Sequence, residues 1–155
     1  MVYNVMDTGN FAARFPNADL RELMEVRRGL ELEAVRLAAL RRTDEELEQL
    51  TQLLAQQRQA AQEGESWRFL EADIAFHLGV AAAAHNPILL ALYEDFETPL
   101  RSLVVANMEK YPLATHCDIH EELLNAIQSQ DTALAAQVAE RFLTTLEEQL
   151  ETPHG

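Results

Sequence analysis

Apolar residues recur every three to four positions along most of the chain, the period of helices that turn one face inward. Asp19 is a suitable N-cap for a first helix running to about Arg42, with Leu20, Leu23, Met24, Leu30, Val35 and Leu37 as its apolar positions. Thr43-Asp44-Glu45-Glu46 spells a capping box and opens a second helix with the stripe Leu47, Leu50, Leu54 and Ala61, closed by Gly64. Ser66 is expected to cap a third helix carrying Phe69, Leu70, Asp73, Phe76, His77 and Val80, which ends at Ala84-His85-Asn86. A fourth runs from Pro87 to about Lys110, and Pro99 inside it should kink or divide it, because proline lacks the amide proton that a helix interior requires. A fifth begins at Pro112 or near Thr115 and carries His116, His120, Leu123, Leu124 and Ile127. Asp131 caps the last, with Leu134, Val138, Phe142, Leu146 and Leu150. Residues 1–18 read as irregular, with turn signals at Gly9-Asn10 and Pro16-Asn17. No segment reads as a strand, so the expected fold is an all-α bundle in one domain spanning 19–151.

Composition agrees. The chain of 155 residues has only 5 Gly and 5 Pro, and 48% of it is hydrophobic, enough for a real core. Charge narrows the range of functions. With 12 Lys and Arg against 26 Asp and Glu, the net charge of −14 repels a phosphate backbone and an anionic membrane alike. This chain alone is therefore not expected to hold nucleic acid. Cys117 is the only cysteine, so no internal disulfide forms, which fits a reducing cytoplasm. There is no apolar run of membrane-spanning length and no secretory leader pattern, and the expected location is cytoplasmic.

Two pairs of residues carry the candidate chemistry. Asp73 with His77, and His116 with His120, are each four apart in a predicted helix, which puts both members on one face. Both faces also hold residues expected to point inward. A carboxylate and imidazoles turned into a core are costly unless something pairs with them. Neutral imidazole and carboxylate suit Zn, Ni, Mn or Fe(II), and helix bundles build metal sites from facing helices. The plainer reading of Asp73 and His77 is a hydrogen bond tying two helices together, and spacing alone does not choose between the two. His85 reads as a charge near a helix C-terminus, His154 as a tail residue, Cys117 as a small core filler and Trp67 as packing. There is no G-x-S-x-G, no glycine-rich phosphate loop and no H-E-x-x-H.

The ordered set of motifs resembles a known family. Val26-Arg27-Arg28-Gly29-Leu30-Glu31 followed by Ala38-Ala39, then Asp73-Ile74-Ala75-Phe76-His77, Ala84-His85-Asn86-Pro87-Ile88-Leu89, His120 with Ile127, and Asp131 with Ala135 are similar to the FCD domain. That domain is the effector-binding half of FadR-type regulators in the GntR superfamily. The resemblance runs from about residue 19 to 150. It implies an antiparallel bundle of about six to seven helices around a central ligand cavity. It also implies a divalent metal, Zn, Ni or Mn, held by one Asp and three His.

Asp73, His77 and His120 match three of those ligands, whereas Phe142 stands where the fourth His is expected. His116, one turn before His120, is the candidate to replace it or to reach the effector. Arg27 matches an arginine that points into the cavity and can hold an organic-acid effector by a charge-assisted bond, while the plainer reading is a surface arginine paired with a nearby glutamate. Asn107 and Arg101 are candidates to approach the same cavity. The implied role is effector sensing, with a small carboxylate or sugar acid as ligand, a homodimer as the assembly, and no catalysis. DNA would be met only through a winged helix-turn-helix domain that this chain does not contain, so a truncated regulator or a stand-alone sensor is expected. The competing readings are a metal-free dimerisation module, which Phe142 favours, and a metal-dependent enzyme.

Overall fold

The computed structural model describes residues 14–151; Gly9-Asn10 and His154 lie outside them. Seven helices lie between Leu20 and Glu151: α1 (Leu20–Arg41), α2 (Asp44–Glu63), α3 (Ser66–Ala83), α4 (Pro87–Asp95), α5 (Glu97–Met108), α6 (Leu113–Gln128) and α7 (Thr132–Glu151). Among the described residues there is no strand. None of these helices is long and apolar enough to cross a membrane.

Local chemistry sets most of the boundaries. Asp19 and Glu22 form a capping box at the start of α1, and Thr43 and Glu46 form the predicted one at the start of α2. Each such cap stabilises its helix by about 1 kcal/mol. Gly64 ends α2 in the left-handed conformation, φ 70°, which costs least without a Cβ. The Asn86 side chain accepts from the backbone amides of Ile88 and Leu89 and caps α4, and Asp131 accepts from Leu134 to cap α7. The Phe15–Ala18 segment closes a turn at Pro16-Asn17, with the Ala18 amide donating to the Phe15 carbonyl.

Three expectations need correction, and the division expected of Pro99 falls at a different residue. Ser66 is the first residue of α3 and not its cap; Glu65 holds the cap position and makes no capping bond through its side chain. The stretch from Pro87 is two helices, broken at Phe96. The break falls where Pro99 forbids a helical bond back to Asp95, so proline divides the element three residues ahead of itself. Trp67 is 69% exposed, and packs little. Leu134 and Leu20 lie on the outer sides of their helices, about two-fifths exposed.

α2 runs back along α3 through the two-residue turn at Gly64-Glu65, and α1 lies along α7. α6 fits between α2 and α7. One main core fills the space, built on Phe69, Phe76, Leu50, Leu100, Leu103, Leu123, Ile127 and Leu143. Cys117 is wholly buried in it, the small filler expected. Arginines bind the layers at the surface: Arg28 reaches Glu140 and Glu147 of α7 from α1, and Arg58 of α2 reaches Asp118 and Glu121 of α6. His85, in the left-handed region just past α3, meets Glu46 at 2.7 Å.

A buried cluster of carboxylates and imidazoles

Arg27 is among the largest fully buried side chains of the molecule, and its surroundings are as polar as it is. α1 contributes Arg27 and Glu31, α2 Gln57, α3 Asp73 and His77, α5 Asn107, and α6 His116 and His120, all at most 5% exposed. The i,i+4 spacing does what the sequence suggests on α3 and α6, placing each pair on the inward face, and Arg27 and Glu31 repeat it on α1. Asp73, His77 and His120 each present one ligand atom within 4.8 Å of the others. His116 is not a member of that set; its ring stands edge-on to Phe69 and Tyr111. Arg27, Asn107, His116 and Phe142 line the same small space beside the three. Arg101 is elsewhere: it pairs with Glu71 at 2.6 Å, at the partly exposed contact of α5 with α3.

The sequence reading passed over two residues of the cluster. Glu31 Oε2 receives the Arg27 Nε proton at 2.9 Å, and Glu31 Oε1 lies 2.6 Å from His77 Nδ1. Gln57 Nε2 donates to Asp73 Oδ2 at 2.9 Å, while Gln57 Oε1 lies 2.8 Å from His120 Nδ1. On the inner side of the set, His77 Nε2 and Asp73 Oδ1 approach to 3.0 Å without aligning as a hydrogen bond. Two donors held by one cation at about 2.0–2.2 Å stand roughly 3 Å from each other. The three side chains therefore suit a divalent ion: Gln57 engages the outer atoms of Asp73 and His120, Glu31 Oε1 stands against the outer nitrogen of His77 without an aligned hydrogen bond, and Asp73 Oδ1 and His77 Nε2 are left unbonded on the inner side.

Electrostatics fix the charge states. Burial opposes ionisation of Glu31, but His77 and Arg27 outweigh it and hold the carboxyl at about 2. Burial also opposes a charge on His77, yet Glu31 and Asp73 on its two nitrogens push it up to about 9. Asp73 stays well below the usual carboxylate range, burial being overcome by the neighbouring His120, His77 and Arg27. Burial dominates at His120, lowering it to about 4, and lowers His116 as well. Both of these imidazoles are neutral at pH 7.

Five further atoms are buried without a hydrogen-bond partner: Arg27 Nη1, Glu31 Oε1, Tyr93 Oη, Asn107 Oδ1 and His116 Nε2. At about 1–3 kcal/mol each, the five together cost about as much as a typical domain has to spare. Groups of this kind are kept where a ligand satisfies them. The space bordered by Arg27, Asn107 and His116 measures about 10 Å³, room for a single water or a bare ion, so the central ligand cavity expected from the sequence is not open. Phe142 forms one wall, its ring 5.5 Å from the Arg27 guanidinium carbon and 6.2 Å from the His120 ring.

A family model of the FCD domain matches residues 22–145, which covers every element of this cluster. The chain belongs to the FCD domain family. Among curated proteins it is 28% identical over 138 residues to the HTH-type transcriptional regulator LutR of Bacillus subtilis (strain 168), covering 85% of this chain and 62% of LutR. The FCD chain thus spans less than two thirds of the length of that relative. Among solved structures, Streptococcus agalactiae GntR superposes with a TM-score of 0.73 at 20% identity, over 86% of this chain and 62% of that one. E. coli McbR/YncC gives 0.68 at 24% identity, over 83% and 67%. Both share the FCD fold of this chain.

Proposed function

We propose that this FCD domain is the effector-sensing part of a GntR/FadR-type transcription regulator. In this reading it binds one divalent metal ion, Zn, Ni or Mn, through Asp73, His77 and His120, and a small carboxylate or sugar acid beside it. The observation that carries the reading is the pair of inward-facing atoms, Asp73 Oδ1 and His77 Nε2, left unbonded 3.0 Å apart while Gln57 bonds the outward atoms of Asp73 and His120 and Glu31 stands 2.6 Å from the outward nitrogen of His77. A carboxylate behind a histidine fixes the ring and raises its basicity toward a metal.

Charge balance supports an anionic effector. Without metal, Arg27 and protonated His77 offset Glu31 and Asp73. With a divalent ion in place of the inner His77 proton, the cluster carries one surplus positive charge. A single carboxylate neutralises it and finds Arg27 Nη1, Asn107 and His116 as hydrogen-bonding partners. The role of the bound metal is to supply positive charge and open coordination positions. Arg27 then orients the anion, and Phe142 excludes water from that side.

The effector would act by favouring one packing of the helices over another. In a homodimer of the intact regulator that shift would set the spacing of its winged helix-turn-helix domains. Ile88 and Leu92, one turn apart on α4 and 74% and 53% exposed, are suited to meet a second copy. LutR is named as a transcriptional regulator, which favours sensing over catalysis here.

Metal content of the purified chain, measured by plasma mass spectrometry, tests the reading. About one Zn, Ni or Mn per chain is expected, falling to background in Asp73→Ala. Calorimetry with a panel of monocarboxylates and sugar acids should then give binding without turnover. No metal in the wild type after reconstitution with all three ions would overturn it.

A further inference from the structure

Gln57 is wholly buried on α2, a helix that supplies no candidate ligand, and it bonds to two of the three at once. An ionised carboxylate only accepts hydrogen bonds. The amide face turned to Asp73 Oδ2 is therefore the NH2 face, and the carbonyl must face His120. A carbonyl only accepts, so the proton between Gln57 and His120 belongs to the imidazole Nδ1. Nε2 of His120 is then the unprotonated nitrogen, the form in which imidazole binds a metal. The same amide engages one oxygen of Asp73 and leaves the other, Oδ1, facing His77 Nε2.

From this chain of donors and acceptors we infer that Gln57 is a positioning residue that sets the His120 tautomer and limits Asp73 to one free oxygen, so that α2 is part of the cation site without touching the cation. The inference rests on the metal reading above for its purpose, but not for its first test. Only a group with one donor and one acceptor face can serve both neighbours. Leucine offers neither, and glutamate offers acceptors to both.

The test uses the metal-free chain at pH 7, with imidazole nitrogens read by ¹⁵N NMR and His120 assigned through a His120→Asn variant. In the wild type, the His120 proton is expected on Nδ1. In Gln57→Leu it moves to Nε2, the form imidazole prefers when nothing directs it, and in Gln57→Glu it stays on Nδ1. Zinc affinity, measured by competition with a chromophoric chelator, should fall 10- to 100-fold in Gln57→Leu. A merely structural role would lower stability without moving the proton. A wild-type proton on Nε2 overturns the inference even if Gln57→Leu does not fold. So does Gln57→Leu that keeps Nδ1 protonated or keeps its zinc affinity. A wild type that shows the predicted tautomers but binds no zinc, nickel or manganese sinks the metal reading and leaves the tautomer assignment to Gln57 standing.

Discussion

Phe142 has its ring near both Arg27 and His120, at the wall of the cluster where, on the proposed metal reading, one more imidazole would complete four protein ligands. Phe142→His is expected to tighten zinc about tenfold or more in chelator competition, since one added donor worth about 1.4 kcal/mol is a factor of ten. Unchanged affinity would mean that position 142 does not face the cation. Single residues were also where the sequence was least legible. Asp73, His77, His116 and His120 announced themselves as polar groups on apolar stripes. Arg27 was singled out by resemblance alone, and Glu31 is spaced from it like any surface partner, so that only burial distinguishes the pair. Gln57 sits in line with Leu50 and Leu54, a polar residue on an inward row, and that was its one signal. Its two partners lie on helices whose approach no local pattern encodes. Arg101 failed for the opposite reason: Glu71, on another helix, offered it a bond nearer the surface.

At the scale of elements, the helices that carry their own start and stop signals were the readable ones. Both capping boxes, Gly64 and Asp131 act within four residues of themselves, so sequence alone suffices for them. The division at Phe96 was foreseen in kind but not in place. Asn86 shows how much a short helix depends on such signals. It caps α4, nine residues long, with two bonds from one side-chain oxygen, and Pro87 follows at the first helical position. A helix this short is marginal alone and relies on its cap and its packing. Asn86→Ala is expected to cost about 1 kcal/mol, lowering Tm by roughly 2–4 °C in thermal unfolding followed by circular dichroism. A loss below half a degree would show that Pro87 and the buried Leu89 hold the helix start unaided.

For the whole molecule, the buried charges make stability depend on pH in a way that metal should change. Take the chain in chelator. His77 is raised from 6.5 to about 9, so its contribution is complete below pH 6.5 and is lost as pH rises through 9. His120 is lowered from 6.5 to about 4, so the unfolded chain binds the extra proton first and stability falls as pH drops below 6.5. Glu31, lowered from 4.5 to about 2, adds a further loss below pH 4.5. Tm in chelator should therefore peak near pH 6.5 and fall on both sides. Zinc should remove the alkaline fall, because the ion then replaces the proton that His77 would lose. An alkaline limb equal with and without zinc would place the ion away from His77.

The cluster is sealed: none of its side chains is more than 5% exposed, and the space among them takes little more than one water. On the proposed reading, a carboxylate of even a few atoms would enter only when helices part. Entry is then timed by the protein and not by collision, so the observed binding rate levels off as effector is added, at the frequency of opening. The same closure governs departure. How long the domain remembers a molecule it has met is set by how often its helices separate, and ligands of quite different affinity share that clock.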